Sequence, residues 1–184
     1  WRALFKLHLF QNDHPVHIIH QYSIDNERLK KFLDKISSFN KSKLKTVEYI
    51  SKSRTQYLPY SSIILNEIMN FTNPKKILCS ISGLREGALV KEHFKDLESP
   101  DMFNKSLEHI AKKRGDLGLT FKKYYDFIKP VFEGNEHYNK KLLNLACVLS
   151  HMDWGLGAFQ KAELVFQETL NTPLLKLTHK ERIQ

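Results

Sequence analysis

Apolar positions along this chain recur at helical spacing over most of its length and cluster in strand-like fashion at two places. Residues 15–24, from Pro15 through His17, His20 and Tyr22 to Ile24, are β-branched and aromatic, which predicts a strand. Residues 25–39 then place Asp25 at an N-cap position, with Leu29, Phe32, Leu33 and Ile36 on one helical face. Residues 40–53 are basic and polar and read as a surface connection or a helix start. Over 58–72, the residues Leu58, Ile63, Ile64, Leu65, Ile68, Met69 and Phe71 predict a second helix, which Asn73-Pro74 should stop. Residues 75–81 form a short apolar run that predicts a central strand ending at Ser82-Gly83.

Beyond residue 90 the strand signals vanish. Segments 101–114, 119–133, 138–152 and 158–170 all carry amphipathic helical spacing. They are separated by Arg114-Gly115-Asp116, Glu133-Gly134-Asn135 and Trp154-Gly155-Leu156-Gly157. A boundary is expected near 91–100, around Glu98-Ser99-Pro100. The expected fold is α/β before it, over residues 1–92, and all-helical after it, over residues 93–184.

Composition narrows this picture. A chain of 184 residues is long enough to bury a core, and its few glycines and prolines exclude a low-complexity chain. Its net charge of +9 is uneven: residues 1–90 hold 14 Lys/Arg against 7 Asp/Glu, and residues 91–184 hold 15 against 13. A basic first half suits a polyanion, and equally a solvated lysine surface. The two cysteines, Cys79 and Cys147, sit in apolar runs and read as buried thiols of a reducing, cytoplasmic compartment. No apolar run nears the ~20 residues needed to span a bilayer, and no signal peptide is visible. The start at Trp1 and the end at Gln184 suggest an excerpt of a longer protein.

The most informative stretch runs Ser80-Ile81-Ser82-Gly83-Leu84-Arg85-Glu86-Gly87-Ala88-Leu89. It reads as a strand, a glycine turn and a short helix. Gly83 can adopt positive φ and admit a ligand close to the backbone, and the helix start offers N–H groups to an anion. Arg85 stands there as a bidentate phosphate ligand or as an ion-pair partner of Glu86 or a neighbouring acid. Arg54 has a similar, weaker case. Lys41, Lys43, Lys45 and Lys52 line a path for a polyanion or a solvated loop.

That stretch resembles the SxxGxREGxL signature near the end of the actin-like core of the exopolyphosphatase / guanosine-pentaphosphate phosphohydrolase (Ppx/GppA) family. Trp1-Arg2-Ala3-Leu4 is similar to the family's WRAL segment, most like that of its alphaproteobacterial members. Ile50-Ser51-Lys52-Ser53-Arg54 and Leu58-Pro59-Tyr60 resemble the stretch before its long helix. Leu145-Ala146-Cys147-Val148-Leu149-Ser150 followed by Trp154 is similar to its helical extension. The resemblance implies part of the second lobe of an actin-like (ribonuclease H-like) ATPase-type fold, followed by a helical, HD-like extension.

The resemblance further implies a hydrolase releasing terminal phosphate from polyphosphate or guanosine pentaphosphate. In such enzymes two glycine-rich loops, the second reading roughly DxGGGS, cradle phosphates, and a carboxylate activates water with a divalent metal, Mg, nearby. No glycine precedes Gly83 here. The DxGGGS loop is therefore expected before Trp1 and the catalytic Glu further upstream. No catalytic residue and no metal ligand is assigned in this chain, and the fragment itself is expected to be inactive. Substrate binding is assigned to Arg85, Gly83 and Arg54. The implied partner is the phosphate substrate, with neither membrane nor nucleic acid, and dimerisation with a second copy stays open.

Two departures bear on this expectation. Where many relatives carry a His-Asp pair, this chain has Ser150-His151, with Asp153 two residues on, which is too few ligands for a metal. His14, His17 and His20 share three-residue spacing, yet in a strand His17 and His20 would face opposite sides. The alternative function is a basic, non-enzymatic module binding nucleic acid or a protein. Phe121-Lys122-Lys123-Tyr124-Tyr125 would then stack bases, against a simpler reading as a core stripe with Ile128.

Overall fold

The computed structural model describes residues 1–93, 102–150, 157–172, 174 and 177–183. The chain divides into two compact units, Trp1–Ala88 and Leu89–Gln184, each with its own apolar core. The boundary expected around Glu98-Ser99-Pro100 lies outside the described residues, as do His151, Asp153 and Trp154.

The first unit opens with helix α1 (Arg2–Gln11), which buries Leu4, Phe5, Leu7, His8 and Leu9. Helix α2 (Asn26–Ser37) buries Leu29, Phe32, Leu33 and Ile36, the four residues whose spacing marks one face. Asp25 occupies its N-cap position in an extended conformation, but its side chain makes no capping hydrogen bond. The basic stretch after α2 forms two short helices, α3 (Lys41–Lys45) and α4 (Lys52–Thr55). At the start of α3 the Asn40 side chain accepts a bond from the Lys43 N–H at 3.0 Å.

Helix α5 (Leu58–Thr72) is apolar on two sides. Leu58, Ser62, Leu65 and Met69 are buried, and α5 packs chiefly on α2. Its opposite stripe, Tyr60, Ile64, Ile68 and Phe71, is exposed. Asn73 ends the helix in the left-handed region, φ 42°. That leaves Pro74 outside the helix, where its missing N–H costs nothing.

The sheet is smaller than the hydrophobic pattern predicts. Strand β1 is Ser23–Asp25 and strand β2 is Lys76–Leu78, paired antiparallel with Ile24 opposite Ile77. Of the strand expected over 15–24, only its last two residues belong to β1. The rest is held in turns: Tyr22 donates to the Ile19 carbonyl, and Gln21 sits at φ 60°. The run at 75–81 is likewise trimmed, and Leu78 is half-exposed, so β2 is not a central strand of these residues. β-branched composition marks residues that suit a pleated, half-buried surface, and without neighbouring strands it does not create one.

The second unit contains α7 (Met102–Lys113), α8 (Phe121–Phe132), α9 (Lys140–Ser150), α10 (Ala158–Asn171) and α11 (His179–Ile183). Helix α6 (Leu84–His93) spans the division. No strand occurs after residue 100 among the described residues. Phe103, Leu107, Phe121, Tyr125, Leu145 and Val148 form the centre of the core. The burial of Phe121 and Tyr125 matches the core-stripe reading and removes both from any base-stacking surface. The Asp116 carboxylate caps α8 by accepting the N–H groups of Thr120 at 2.7 Å and Phe121 at 3.1 Å. The Arg182 guanidinium donates to the carbonyls of Thr169 and Thr172, closing the C-terminal end of α10. Both Cys79 and Cys147 are free and buried, and burial pushes both thiols up from their ordinary pKa.

Candidate functional site

The turn between β2 and α6 is built by contacts from distant parts of the chain. Cys79 is buried and extends the β1–β2 pairing: its N–H donates to the Tyr22 carbonyl at 2.9 Å, and its carbonyl accepts from Gln21 at 2.7 Å. This fixes the backbone entering the turn. The Ser80 carbonyl then accepts a bond from Arg2 Nε at 3.1 Å. The Ser82 N–H donates to Ser80 Oγ at 3.1 Å, and the Ile81 N–H approaches His20 Nδ1 at 3.4 Å. Because α1 is anchored by its buried face, Arg2 on its first turn is aimed at this loop.

Gly83 precedes α6, and its carbonyl accepts the first helical bond, from the Gly87 N–H at 3.0 Å. Its own N–H donates to Glu86 Oε2 at 2.6 Å, three residues on, which is one half of a capping box. The bond from Gly83, then the one from its own backbone N–H, hold the Glu86 carboxyl below the usual carboxylate range, and the Arg2 guanidinium adds to this. Gly83 does not use positive φ; among the described glycines only Gly115 and Gly134 do. Glycine there permits close approach of two flexible side chains. A Cβ on Gly83 would lie 3.1 Å from Glu86 Oε2 and 3.4 Å from Arg2 Nη2.

Arg85 lies on the first turn of α6 and is exposed. Among the described residues its side chain enters no ion pair, so the alternative pairing with Glu86 does not form; Glu86 is committed to Gly83. Arg54 is exposed on α4, and no hydrogen bond or ion pair joins it to the Gly83 turn. The structure thus brings Gly83 together with Arg2 and Glu86, two residues that sequence reasoning left unassigned. The only signal for Arg2 was its place in the Trp1-Arg2-Ala3-Leu4 motif.

Chemically the turn offers groups that can bind an anion. A helix start presents backbone N–H groups without helical partners. A carboxylate already occupies the Gly83 N–H, and one guanidinium, Arg2, is fixed beside it. The lysines proposed for a phosphate path, Lys41, Lys43, Lys45 and Lys52, are all exposed on α3 and α4.

Among the described residues no group of three or more His, Cys, Asp or Glu converges, so these residues do not fit a divalent metal centre of their own. The three spaced histidines are engaged separately. His14 Nδ1 meets the Val16 carbonyl, His17 stacks on Phe10 and His20 approaches Ile81. No described helix is long and apolar enough to cross a membrane.

Residues 3–95, which run from Ala3 within α1 through the Gly83 turn and α6, match the model of the Ppx/GppA phosphatase family. The chain belongs to that family. No curated protein matches it.

Proposed function

We propose that this chain forms the substrate-binding side of a phosphoanhydride hydrolase that removes terminal phosphate from inorganic polyphosphate or guanosine pentaphosphate in the cytoplasm. Residues 1–92 are read as part of an actin-like second lobe and residues 93–184 as its helical extension. The observation that carries the reading is the Gly83 turn. It lies within the residues that match the family, joins two of its motifs through Arg2 and Ser80, and already holds an oxyanion on its N–H. The second apolar face of α5 supports the lobe assignment, since a helix apolar on both sides belongs between two layers.

In this reading Arg85 grips a terminal phosphate with its planar fork, while the Gly83 N–H and Arg2 seat a neighbouring phosphoryl oxygen as the Glu86 side chain swings out into solvent. Arg54 contributes charge from α4. A divalent metal, Mg in this family, would neutralise the phosphates during hydrolysis. Its ligands are not among the described residues. The chain lacks a glycine-rich phosphate loop, so these 184 residues are expected to bind but not to hydrolyse. The test is phosphate release from both substrates, measured for the full-length protein and for this chain alone. Release by the full-length protein and none by the chain is expected. Failure of the full-length protein on both substrates would sink the proposal.

A further inference from the structure

A groove lies in the first unit, apart from the Gly83 turn. The end of α1, the C-terminal half of α2, α3 and the following loop enclose a groove of about 400 Å³. Its apolar wall is Phe10, Phe39, Val47 and Tyr49, and Lys35 and Lys43 stand at its edge. Neither lysine side chain enters an ion pair among the described residues. Lys43 Nζ lies 5.7 Å from the Phe39 ring centre, so a cation already sits over an aromatic face.

The wall contains a stack of three rings. Phe10 lies 3.7 Å from Tyr49 with the planes 4° apart, and 4.0 Å from His17 with the planes 31° apart. Two rings this close to Phe10 must cover its opposite faces, so Tyr49 ends the stack. Tyr49 is 58% exposed, which leaves its outer face open. Its backbone is also held at φ 67°, the left-handed region that bulky residues rarely adopt. A strained backbone that presents an open aromatic face beside unpaired cations is an arrangement that the core does not need.

From this geometry we infer that the groove binds a nucleoside monophosphate. The base extends the stack on the outer face of Tyr49, and Lys35 and Lys43 take the phosphate. Stacking on an aromatic side chain accepts any base. The lysine pair suits an anion, and Glu48 within the groove can accept from ribose hydroxyls or an exocyclic amino group. The assignment does not rest on the reading of the Gly83 turn.

The experiment is calorimetric titration of the full-length protein with AMP, adenosine and inorganic phosphate, each alone. AMP is expected to bind saturably and at least about fivefold more tightly than adenosine or phosphate, because only AMP engages rings and lysines together. Tyr49→Asn keeps a residue that tolerates the left-handed backbone while removing the ring, and should weaken AMP at least about fivefold. Tyr49→Phe should bind as the parent does. Lys35→Gln/Lys43→Gln should reduce AMP to the level of adenosine. Arg85→Ala, at the other site, should leave AMP affinity unchanged. Absence of saturable AMP binding overturns the inference. So does equal binding of all three probes, an effect of Arg85→Ala as large as that of Tyr49→Asn, or AMP affinity unmoved by Tyr49→Asn.

Discussion

Arg2 and Ser80 stand 78 positions apart, yet the Nε of one donates to the carbonyl of the other at 3.1 Å. This bond ties the first turn of α1 to the loop that leaves β2, and so holds Gly83 where its N–H can meet an anion. Arg2→Ala should cost about 0.5–1.5 kcal/mol of local stability, the range for one intramolecular hydrogen bond. Faster amide exchange at Ile81–Gly83 with little change in the global unfolding midpoint would report it, together with a raised KM for polyphosphate. Unchanged exchange in the turn would show that the sheet pairing at Cys79 alone sets its shape.

Arg85 carries the more direct prediction. Its guanidinium is exposed and enters no ion pair among the described residues, so removing it leaves no partner stranded. Arg85→Ala in the full-length protein should weaken phosphate-substrate binding by about 1.5–3 kcal/mol, as for a hydrogen bond to a charged group. Arg85→Lys should recover part of that loss, because a point charge cannot reproduce the planar fork. A folded Arg85→Ala protein with unchanged KM and kcat would assign the residue to the solvated surface.

The contrast between Arg85 and Arg2 shows what the sequence makes legible. Arg85 stands out because strand signal, glycine and helix start are adjacent in the chain. Arg2 does not, because its contact with Ser80 is a tertiary one that no local pattern encodes. The same division runs through the fold. Helices α2, α5 and the longer helices of the second unit are legible, since a buried face repeats every three or four residues. Helix α1 carries buried residues at Leu4, Phe5, Leu7, His8 and Leu9, nearly a continuous run, and so gives a weak periodic signal. The strands are shorter than the pattern predicts because β propensity reports the setting a residue suits rather than one it makes. The Phe10–Tyr49 stack joins residues 39 positions apart with no repeat between them, and its chemistry appears only once the chain is folded.

His8 makes the first unit sensitive to acid. It is 2% exposed, and its Nδ1 lies 3.0 Å from the Tyr22 hydroxyl. Burial, then the nearby Arg28 and His14 charges, lower its pKa to about 4. In the unfolded chain it titrates near 6.5, so between these values the unfolded state holds the extra proton. Stability should therefore be fully present above pH 6.5 and fall as the pH drops towards about 4. The total loss from this group is on the order of 3 kcal/mol. Urea midpoints measured across that window should show the slope, and His8→Asn should flatten it. A slope unaltered in the variant would assign the acid sensitivity to other groups.

Glu86 tests whether the Gly83 N–H is a seat for substrate. Its carboxylate holds that N–H at 2.6 Å and is therefore a competitor for any phosphate oxygen placed there. Glu86→Gln keeps an acceptor but removes the charge, which weakens the bond. Two opposite consequences follow. The start of α6 should exchange its amides faster, because the cap is poorer. Pyrophosphate should bind more tightly, because its rival is now neutral and Arg2 is left with an unbalanced positive charge. The pH dependence has a definite sign. The carboxyl is held below its ordinary value, so its stabilisation of α6 is present above the unfolded carboxylate pKa and is lost as pH falls through the lower folded value. Over that window the parent should lose α6 protection and Glu86→Gln should not. If Glu86→Gln weakens pyrophosphate binding while α6 remains formed, the carboxylate supports the site instead of competing for it, and phosphate binds through Arg85 without the Gly83 N–H.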